Sequence, residues 1–356
     1  MPPKKIRIAV SGLGRIGWDF HCAQIAKHPQ FEFVAVQDVD PERLREAKQV
    51  YGVAGYRDFS EMLAECKLEV AVIATPTHLH KTMAIEALRA GCHVLLEKPM
   101  ARDSAEAAAI VRAASRHQRL LTVYQPLRAV AYFQHLRRLL SSGMIGEPYH
   151  VRVGSFNYVQ RNDWQSLRRF GGGMLNNYGA HALDQVLQII GYDIRSVFAN
   201  LRVVASLGDA DDVVKVVLES RKGFVGEIDI NQASTIQPYA MQVWGTRGAV
   251  VIPRDRDQLI VSYFRPEDIP SKSLNKALAS EGRQYPFDKI PIREEAIPVD
   301  GALAVDFYAN LADAVRKGRP LFVKPEEPLA VMRLIDRCRE SGGRIVKTPL
   351  IQRKAR

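Results

Sequence analysis

The sequence predicts an α/β protein with two parts: an N-terminal doubly wound parallel sheet, and an α+β domain with a large, mainly antiparallel open sheet. In the first 125 residues, short apolar runs alternate with helical patterns, which is typical of parallel strands covered by helices on both faces. Beyond about residue 145, strand-like runs follow one another with only turn signals between them, which favours antiparallel pairing. We therefore expect domains at residues 1–125 and 126–356.

The elements of the first domain are predicted from its hydrophobic patterns. Apolar runs without strict alternation, typical of buried parallel strands, occur at residues 6–10, 31–36, 70–74, 93–96 and 120–124. Helical patterns lie between them at residues 15–27, 41–51, 81–90 and 104–117. Pro41 stands just inside one predicted helix start, and Gly91 just beyond a predicted helix end.

The second domain is predicted to contain seven consecutive strands, at residues 149–159, 197–206, 213–220, 224–232, 239–245, 249–252 and 259–263. Helices are expected at residues 174–190, 303–317 and 326–341, and the last of them can pack back on the first domain. The polar stretch 265–297 contains several prolines and is predicted to be irregular. An open sheet of this size needs a cover on its outer face, so we expect a homodimer or homotetramer formed through it.

Composition excludes several classes of protein. Of the 356 residues, 47% are hydrophobic and 25% are charged, as in ordinary globular domains. The net charge is +11, but lysine and arginine are spread along the chain and form no basic run interleaved with aromatics, so we expect no nucleic-acid partner. No apolar window is long enough for a membrane span, and no signal peptide is recognised, so a cytoplasmic location is expected. The cysteines are scattered and are expected to be reduced thiols: Cys22, Cys66, Cys92 and Cys338.

A glycine-rich motif, GLGRIG at residues 12–17, joins the first predicted strand to the first predicted helix. This context indicates a dinucleotide-binding Rossmann fold more strongly than the motif alone. Gly12 permits a tight turn, Gly14 lets a pyrophosphate approach the backbone, and Gly17 allows close packing of helix on strand. The helix N-terminus adds positive potential, and Arg15 and Ile16 complete the predicted cofactor loop.

Asp38 ends the second predicted strand, about 20 residues after Gly17, where a Rossmann acid usually binds the ribose hydroxyls of the cofactor. A carboxylate at this position repels the 2′-phosphate of NADP, and no arginine follows immediately. The sequence therefore predicts NAD as the cofactor, in preference to NADP.

Three further motifs point to one family. They are TPTHLH at residues 75–80, HVLLEKP at residues 93–99 and GGGMLNNYGAHALD at residues 171–184. With the glycine-rich motif, they resemble the Gfo/Idh/MocA family, the group of glucose–fructose oxidoreductase and inositol dehydrogenase. The resemblance covers nearly the whole chain. It implies hydride transfer between NAD and a secondary alcohol of a sugar, inositol or related polyol, and hence a small polyhydroxylated substrate.

The resemblance also implies further cofactor-binding residues at the carboxyl ends of the strands: Thr75, Pro76, His80, Glu97 and Gln125. Pro76 would pack on the cofactor, and the amide of Gln125 would lie near the nicotinamide. His78 and His80 have the residue type of a metal pair, but no carboxylate or cysteine stands near them in the sequence, so no metal is expected.

Lys98 lies just past a strand end, where ligands bind in open parallel sheets. Its ammonium could hydrogen-bond the reacting oxygen, and oxidised nicotinamide, itself cationic, would lower the lysine pKa. The alternative is a surface lysine that pairs with Glu97.

In the predicted helix 174–190, Asn177, His181 and Asp184 share one face, because they stand at i, i+4 and i+7. A histidine there suits proton transfer, although a core histidine held by Asp184 is the alternative. The family usually has an aspartate at the position of Asn177. Asparagine can orient a hydroxyl but cannot accept a proton, so the predicted catalytic residues are Lys98 and His181, with Asn177 orienting the substrate.

Further substrate contacts are predicted at Arg128, Trp164 and Asp184, with Arg161 and Asp163 as weaker candidates in the same loop as Trp164. Leu127 stands where the family frequently has a second arginine. Two other functions stay open at this stage: an NAD-dependent glycoside hydrolase that uses transient oxidation, and a non-catalytic NAD-binding regulator.

Overall fold

The computed structural model describes residues 4–274, 276 and 289–347. Its first sheet is parallel, has the strand order β3-β2-β1-β4-β5-β6, and confirms the predicted doubly wound fold. The strands are β1 (Ile6–Ser11), β2 (Phe31–Gln37), β3 (Ala54–Tyr56), β4 (Val70–Ile73), β5 (His93–Leu96) and β6 (Leu121–Val123). The strand order reverses between β1 and β4, which places the ligand crevice of such a sheet at their carboxyl ends.

The helices that cover this sheet are α1 (Ala23–Lys27), α2 (Pro41–Tyr51), α3 (Phe59–Glu65), α4 (His80–Arg89) and α5 (Ser104–Arg116). Residues 15–27 form one continuous helix whose middle, Gly17–Cys22, is a π-helix. Asp40, Asp58 and Asp103 each cap the helix that follows by accepting a backbone N–H in its first turn. β3 and α3 were not predicted from the sequence. The three residues of β3, two exposed and one half-buried, give no clear strand pattern.

The second sheet has nine strands in the order β14-β13-β12-β11-β7-β10-β9-β8-β15. They are β7 (Pro148–Phe156), β8 (Ile194–Val203), β9 (Val213–Ser220), β10 (Val225–Asn231), β11 (Met241–Gly245), β12 (Gly248–Ile252), β13 (Gln258–Tyr263), β14 (Arg293–Pro298) and β15 (Val346–Lys347). Neighbouring strands are antiparallel except for the pairs β7–β10 and β8–β15. The mainly antiparallel sheet is therefore confirmed.

Among the described residues, helices cover one face of this sheet. The helices of this half of the chain are α6 (Pro126–Ala129), α7 (Ala131–Ser141), α8 (Met174–Asn177), α9 (Gly179–Ile190), α10 (Phe307–Lys317) and α11 (Glu326–Gly342). Those that contact the sheet are α7, α8, α9 and α11, whereas α10 packs on the first sheet. Buried and half-buried residues alternate along β9 and β10, as a sheet with one covered face requires. Gly226 lets α9 approach β10, because a Cβ there would lie 2.7 Å from the Val186 side chain.

Three predicted elements differ from the structure. The helix predicted at 174–190 is divided at Tyr178 into α8 and α9. The stretch predicted to be irregular, 265–297, ends in β14, while residues 275 and 277–288 lie outside the described residues. The helix predicted from residue 303 begins at Phe307, because Asp306 caps it by accepting the N–H of Ala309.

The analysis also missed α7, although its signal is present in the sequence. Tyr132, Phe133, Leu136 and Leu139 recur at helical spacing and are buried. Helix α7 contacts β13 of the second sheet, and its buried side chains belong to the same core cluster as those of α9.

The end of the described chain returns to the first sheet. Phe307, Tyr308 and Leu311 of α10 join the buried cluster that contains β1 residues such as Ile6 and Ile8. Helix α11 packs against α5, α9 and β8. Within the described ranges, no helix is both long and apolar enough to cross a membrane.

Candidate functional site

A cleft opens at the carboxyl ends of the first-sheet strands, beside the reversal of strand order. Its lining includes Ile16, Ala74, Thr75, Thr77, Glu97, Lys98, Trp164, Gly171, Gly172, Gly173 and Asn177. Residues from both halves of the chain therefore form it, as the motifs predicted. The lining brings the glycine loop, Lys98 and Asn177 to one place.

The glycine loop fits a dinucleotide. Gly12 has a φ of +89°, and a Cβ there would lie 2.7 Å from the Ala74 carbonyl. A Cβ at Gly17 would lie 1.8 Å from the Gly12 oxygen, so the helix and the turn are in close contact. No atom lies within 4 Å of a Cβ built on Gly14, so its backbone is open to a pyrophosphate.

Asp38 is buried and faces this loop. Its Oδ2 accepts the Leu13 N–H at 2.6 Å, and its Oδ1 accepts the Asp40 N–H at 2.9 Å. Arg43, on α2, holds its Nη1 3.5 Å from the Asp38 Oδ2. Sequence analysis missed Arg43 because it considered only the residues immediately after Asp38. Asp38, the acid predicted to bind the ribose, therefore has a basic neighbour in Arg43.

His80 joins two loops at the edge of the cleft. Its Nε2 lies 2.9 Å from the Thr75 oxygen and its Nδ1 lies 3.0 Å from the Pro99 oxygen. Burial lowers the pKa of His80. The Lys98–Pro99 peptide is cis. Among the described residues, no group of His, Cys, Asp and Glu has the arrangement of a metal site.

Lys98 points at Asn177. Its Nζ donates to the Asn177 Oδ1 at 2.8 Å and to the Asn177 backbone oxygen at 3.3 Å. The Asn177 amide in turn donates to the Gln165 Oε1 at 3.0 Å. Burial lowers the pKa of Lys98, and the charges of Arg15 and Arg161 lower it further, whereas Glu97 opposes this shift.

Glu97 is tied to the interior of the first domain. Its Oε1 lies 3.0 Å from the His21 Nε2, and the His21 Nδ1 lies 2.7 Å from the Tyr308 hydroxyl. Its Oε2 accepts the Lys98 backbone N–H at 2.9 Å. No local pattern in the sequence indicates this chain of contacts, because Tyr308 is 287 residues from His21.

His181 is held by Gln125, whose Oε1 lies 3.0 Å from the His181 Nδ1. Because the amide oxygen can only accept, Nδ1 carries the proton and Nε2 keeps a free lone pair. Burial lowers the pKa of His181 well below its usual value, and the charge of Lys98 adds to this effect. A neutral imidazole results. Its ring faces a second cavity of about 220 Å³, which Tyr178 also lines.

Arg128 and Asp184 form a buried ion pair beneath the site. The Arg128 Nε lies 2.8 Å from the Asp184 Oδ2, and its Nη1 lies 2.7 Å from the Glu327 Oε2. The two paired side chains are only 2% and 1% exposed. Burial raises the pKa of Asp184 despite this pairing. The contact that holds His181 is therefore Gln125, and Asp184 is occupied by Arg128.

The loop before α8 also contributes. Trp164 lines the cleft, whereas Arg161 pairs with Asp163 at 2.9 Å near its rim. Asp211, which sequence analysis missed, is buried and accepts the Leu175 N–H at 2.7 Å. A Cβ on Gly173 would lie 2.5 Å from the Asp211 Oδ1, so the third glycine of the triplet makes room for this carboxylate.

Two family models match the chain. One describes an oxidoreductase family with an NAD-binding Rossmann fold and matches residues 6–125. The other describes the GFO/IDH/MocA C-terminal domain and matches residues 133–251. The chain belongs to the Gfo/Idh/MocA family. The family resemblance seen in the motifs is thus confirmed.

Curated members of this family resemble the chain at moderate identity. Myo-inositol 2-dehydrogenase of Thermotoga maritima is 27% identical over 76% of this chain and 81% of its own length. The scyllo-inositol 2-dehydrogenase (NADP(+)) IolW of Bacillus subtilis is 24% identical over 95% of this chain and 94% of its own. These relatives support a sugar or polyol dehydrogenase in general terms.

Solved structures share the fold along nearly the whole chain. An NAD-binding protein from Listeria innocua superposes with a TM-score of 0.83 at 27% identity, covering 95% of this chain and 97% of its own. The WlbA dehydrogenase from Bordetella pertussis, solved in complex with NADH and UDP-GlcNAcA, gives a TM-score of 0.77 at 24% identity. It covers 95% of this chain and 97% of its own, and it supports the fold.

Proposed function

We propose that this protein is an NAD-dependent dehydrogenase that acts on a secondary alcohol of a sugar, inositol or related polyol. The observation that carries the proposal is the position of Lys98. Its Nζ lies 2.8 Å from the Asn177 Oδ1 in the same cleft as the glycine loop, and its pKa is lowered. The name of the Thermotoga relative, an inositol dehydrogenase, supports the substrate class.

A nicotinamide dinucleotide, when bound, supplies the hydride chemistry. The glycine loop and Asp38 would bind it, with Thr75, Pro76, His80, Glu97 and Gln125 around its nicotinamide half. Lys98 would hydrogen-bond the reacting oxygen, and the Nε2 of neutral His181 would take up the hydroxyl proton. Asn177 would orient the substrate, because its amide offers both a donor and an acceptor.

We propose NAD in preference to NADP because the buried Asp38 carboxylate stands at the ribose position. Arg43, beside Asp38, weakens this preference, because its guanidinium is a cation that could bind a 2′-phosphate. The Bacillus relative is named for NADP, which makes the comparison of both cofactors a necessary part of the test.

The sequence predicts Arg128 and Asp184 as substrate contacts. A role in positioning other residues suits them better, because the two side chains are buried and their charges are paired with each other. We propose that they hold the helix that presents His181. Trp164 remains a proposed substrate contact, because it lines the same cleft as Lys98.

The first test is the formation of NADH, followed by its near-ultraviolet absorbance, with NAD or NADP and a panel of sugars, inositols and sugar acids. Lys98→Met should abolish turnover while NAD still binds, since the variant keeps the glycine loop. Lys222→Met, in an exposed turn, is the matched control and should turn over like the wild type. Full activity of Lys98→Met would refute the assignment.

The same panel of compounds distinguishes a dehydrogenase from the two other functions, the glycoside hydrolase and the regulator. A hydrolase would consume a glycoside without accumulating NADH, because its cofactor is restored within each turnover. A regulator, which the replacement of the usual aspartate by Asn177 favours, would bind NAD and leave every compound unchanged.

A further inference from the structure

The cavity beside His181 has a wall chemistry that differs from that of the cleft. It holds about 220 Å³, several times the roughly 30 Å³ that one water occupies, so a small organic molecule fits. Most of its wall is apolar and comes from α9 and the covered face of the second sheet, with Ala182, Val153, Ile230 and Ala240 as examples.

The polar side chains of this wall are those of Tyr132, Ser155, Tyr178, His181, Gln185 and Arg256. Gln185 uses its Nε2 to donate to the Leu127 oxygen at 2.8 Å and to the Tyr132 hydroxyl at 3.2 Å. Among the described residues that line the cavity, none is an aspartate or a glutamate. A ligand here therefore meets no carboxylate that would bind several hydroxyl groups.

Arg256 brings a full charge to the wall of the cavity, and the residue is also exposed to solvent. It lies in the turn between β12 and β13, and its guanidinium carbon stands 5.4 Å from the centre of the Tyr132 ring. No carboxylate in the described part of the chain forms an ion pair with it. Most arginines near the sites described above do have such a partner, as Arg128 and Arg161 illustrate.

The backbone of Arg256 is also unusual. Its φ is +58°, in the left-handed region where glycine or asparagine is the common choice, and its N–H closes the turn by donating to the Pro253 oxygen at 3.2 Å. Arginine thus stands at a position where glycine would be less strained. Strained residues of this kind cluster at ligand sites.

We propose that Arg256 binds a carboxylate of the substrate, so that the enzyme acts on a hydroxy acid of the sugar class rather than on a neutral polyol. The guanidinium offers two parallel N–H donors to a carboxylate, and the apolar wall contacts the carbon chain. The hydroxyl to be oxidised lies at the other end of the molecule, beside His181. This inference rests on the proposed dehydrogenase function and narrows its substrate.

The test compares matched pairs of probes that differ only in the acid group: D-gluconate with D-glucitol, and D-galacturonate with D-galactose. Initial rates of NADH formation should give the acid the higher kcat/KM in each pair that reacts. Arg256→Gln should lower kcat/KM for the acid by about 10- to 100-fold, mainly through KM, because one charged hydrogen-bonded contact is lost. The kcat/KM with the neutral partner should fall less, so that the preference for the acid is lost.

Two further variants control this result. Arg254→Gln removes a charge from the same turn and should leave the preference for the acid unchanged. Arg256→Gly relieves the strained φ, so it should fold and melt no lower than the wild type, yet it should lose the preference as Arg256→Gln does. A role of Arg256 in stability alone would lower the melting temperature and leave the preference intact.

The outcomes are distinguishable. NADH formed equally well from both members of each pair, or an Arg256→Gln enzyme that still prefers the acid, would overturn the inference and leave the dehydrogenase function standing. No NADH from any probe, in protein that binds NAD, would contradict the proposed function, and the inference would fall with it.

Discussion

The charge of Lys98 lowers the pKa of His181, and this effect is central at the scale of single residues. The Lys98 charge is among the causes that lower the His181 pKa, and burial lowers the pKa of both groups. His181 is therefore neutral at physiological pH, with its Nδ1 proton directed at Gln125. A base with a free Nε2 and a cation beside it is the arrangement that removal of a hydroxyl proton requires.

The first residue-scale prediction concerns pH and stability. Because the folded pKa of His181 is well below its usual value of 6.5, the unfolded chain binds a proton at mildly acid pH that the folded chain does not. The free energy of unfolding should therefore fall as pH drops below about 6.5, by up to about 1.4 kcal/mol per pH unit from this group. His181→Gln should remove this part of the slope between pH 6.5 and 5 in urea titrations.

Above pH 7, the free energies of unfolding of the wild type and of His181→Gln should change with pH in parallel, because His181 is then neutral in both the folded and unfolded states. An equally steep loss of stability in His181→Gln would mean that this histidine is not buried in its neutral form.

The second residue-scale prediction concerns the buried ion pair. Arg128→Met should lower the free energy of unfolding by about 3–5 kcal/mol, because it leaves the Asp184 carboxylate buried without its partner. Arg221→Met breaks the exposed Arg221–Asp193 pair instead and should cost no more than about 1 kcal/mol. Similar losses in the two variants, measured by urea denaturation, would contradict the structural role of Arg128.

At the scale of elements, the division of one predicted helix shapes the site. The sequence placed Asn177 and His181 on one face of a single helix, but the structure ends α8 at Asn177 and starts α9 at Gly179. Asn177 accordingly contacts Lys98 in the cleft, while His181 faces the neighbouring cavity. The glycine triplet and Asp211 fix where α8 begins.

An element-scale prediction follows for Gly173. It has a φ of +107°, and a Cβ there would meet Asp211 at 2.5 Å. Gly173→Ala should lose roughly 1–3 kcal/mol from a backbone conformation that essentially only glycine adopts and roughly 1–3 kcal/mol more from the clash. It should also lower kcat, since α8 carries Asn177. Urea denaturation and initial rates measure the two effects.

Gly191→Ala is the matched control, because its φ of +84° and ψ of 176° are close to those of Gly173 but no atom lies within 4 Å of the added Cβ. It should show only the backbone cost and keep its activity. Equal losses in both variants would rule out the contact between Gly173 and Asp211 as the cause.

At the scale of the whole molecule, the uncovered face of the second sheet is the main open surface. Phe198 on β8 and Ile260 on β13 are 57% and 40% exposed, and both point away from the covering helices. An extended sheet with exposed apolar side chains is a common surface for self-association. We propose a homodimer or homotetramer that buries this face.

Light scattering after gel filtration should therefore give the mass of a dimer or tetramer. Replacing Phe198 and Ile260 together by glutamate should shift the protein toward the monomer, because two buried, unpaired charges would oppose the interface. Val50→Glu, on an exposed position of α2, is the control and should leave the mass unchanged. A monomeric wild type at micromolar concentration would refute the proposal.

The sequence by itself determined the two sheets, the glycine loop and the residues that converge at the cleft, because these depend on local patterns of hydrophobicity, glycine and spacing. Only the tertiary structure decided the contacts between distant positions. It paired Arg128 with Asp184, linked His21 to Tyr308 and brought Arg43 to Asp38. It also placed Arg256 beside the cavity of His181. Such contacts depend on how helices and loops pack, and packing energy is shared among residues far apart in the chain, so no local pattern records it.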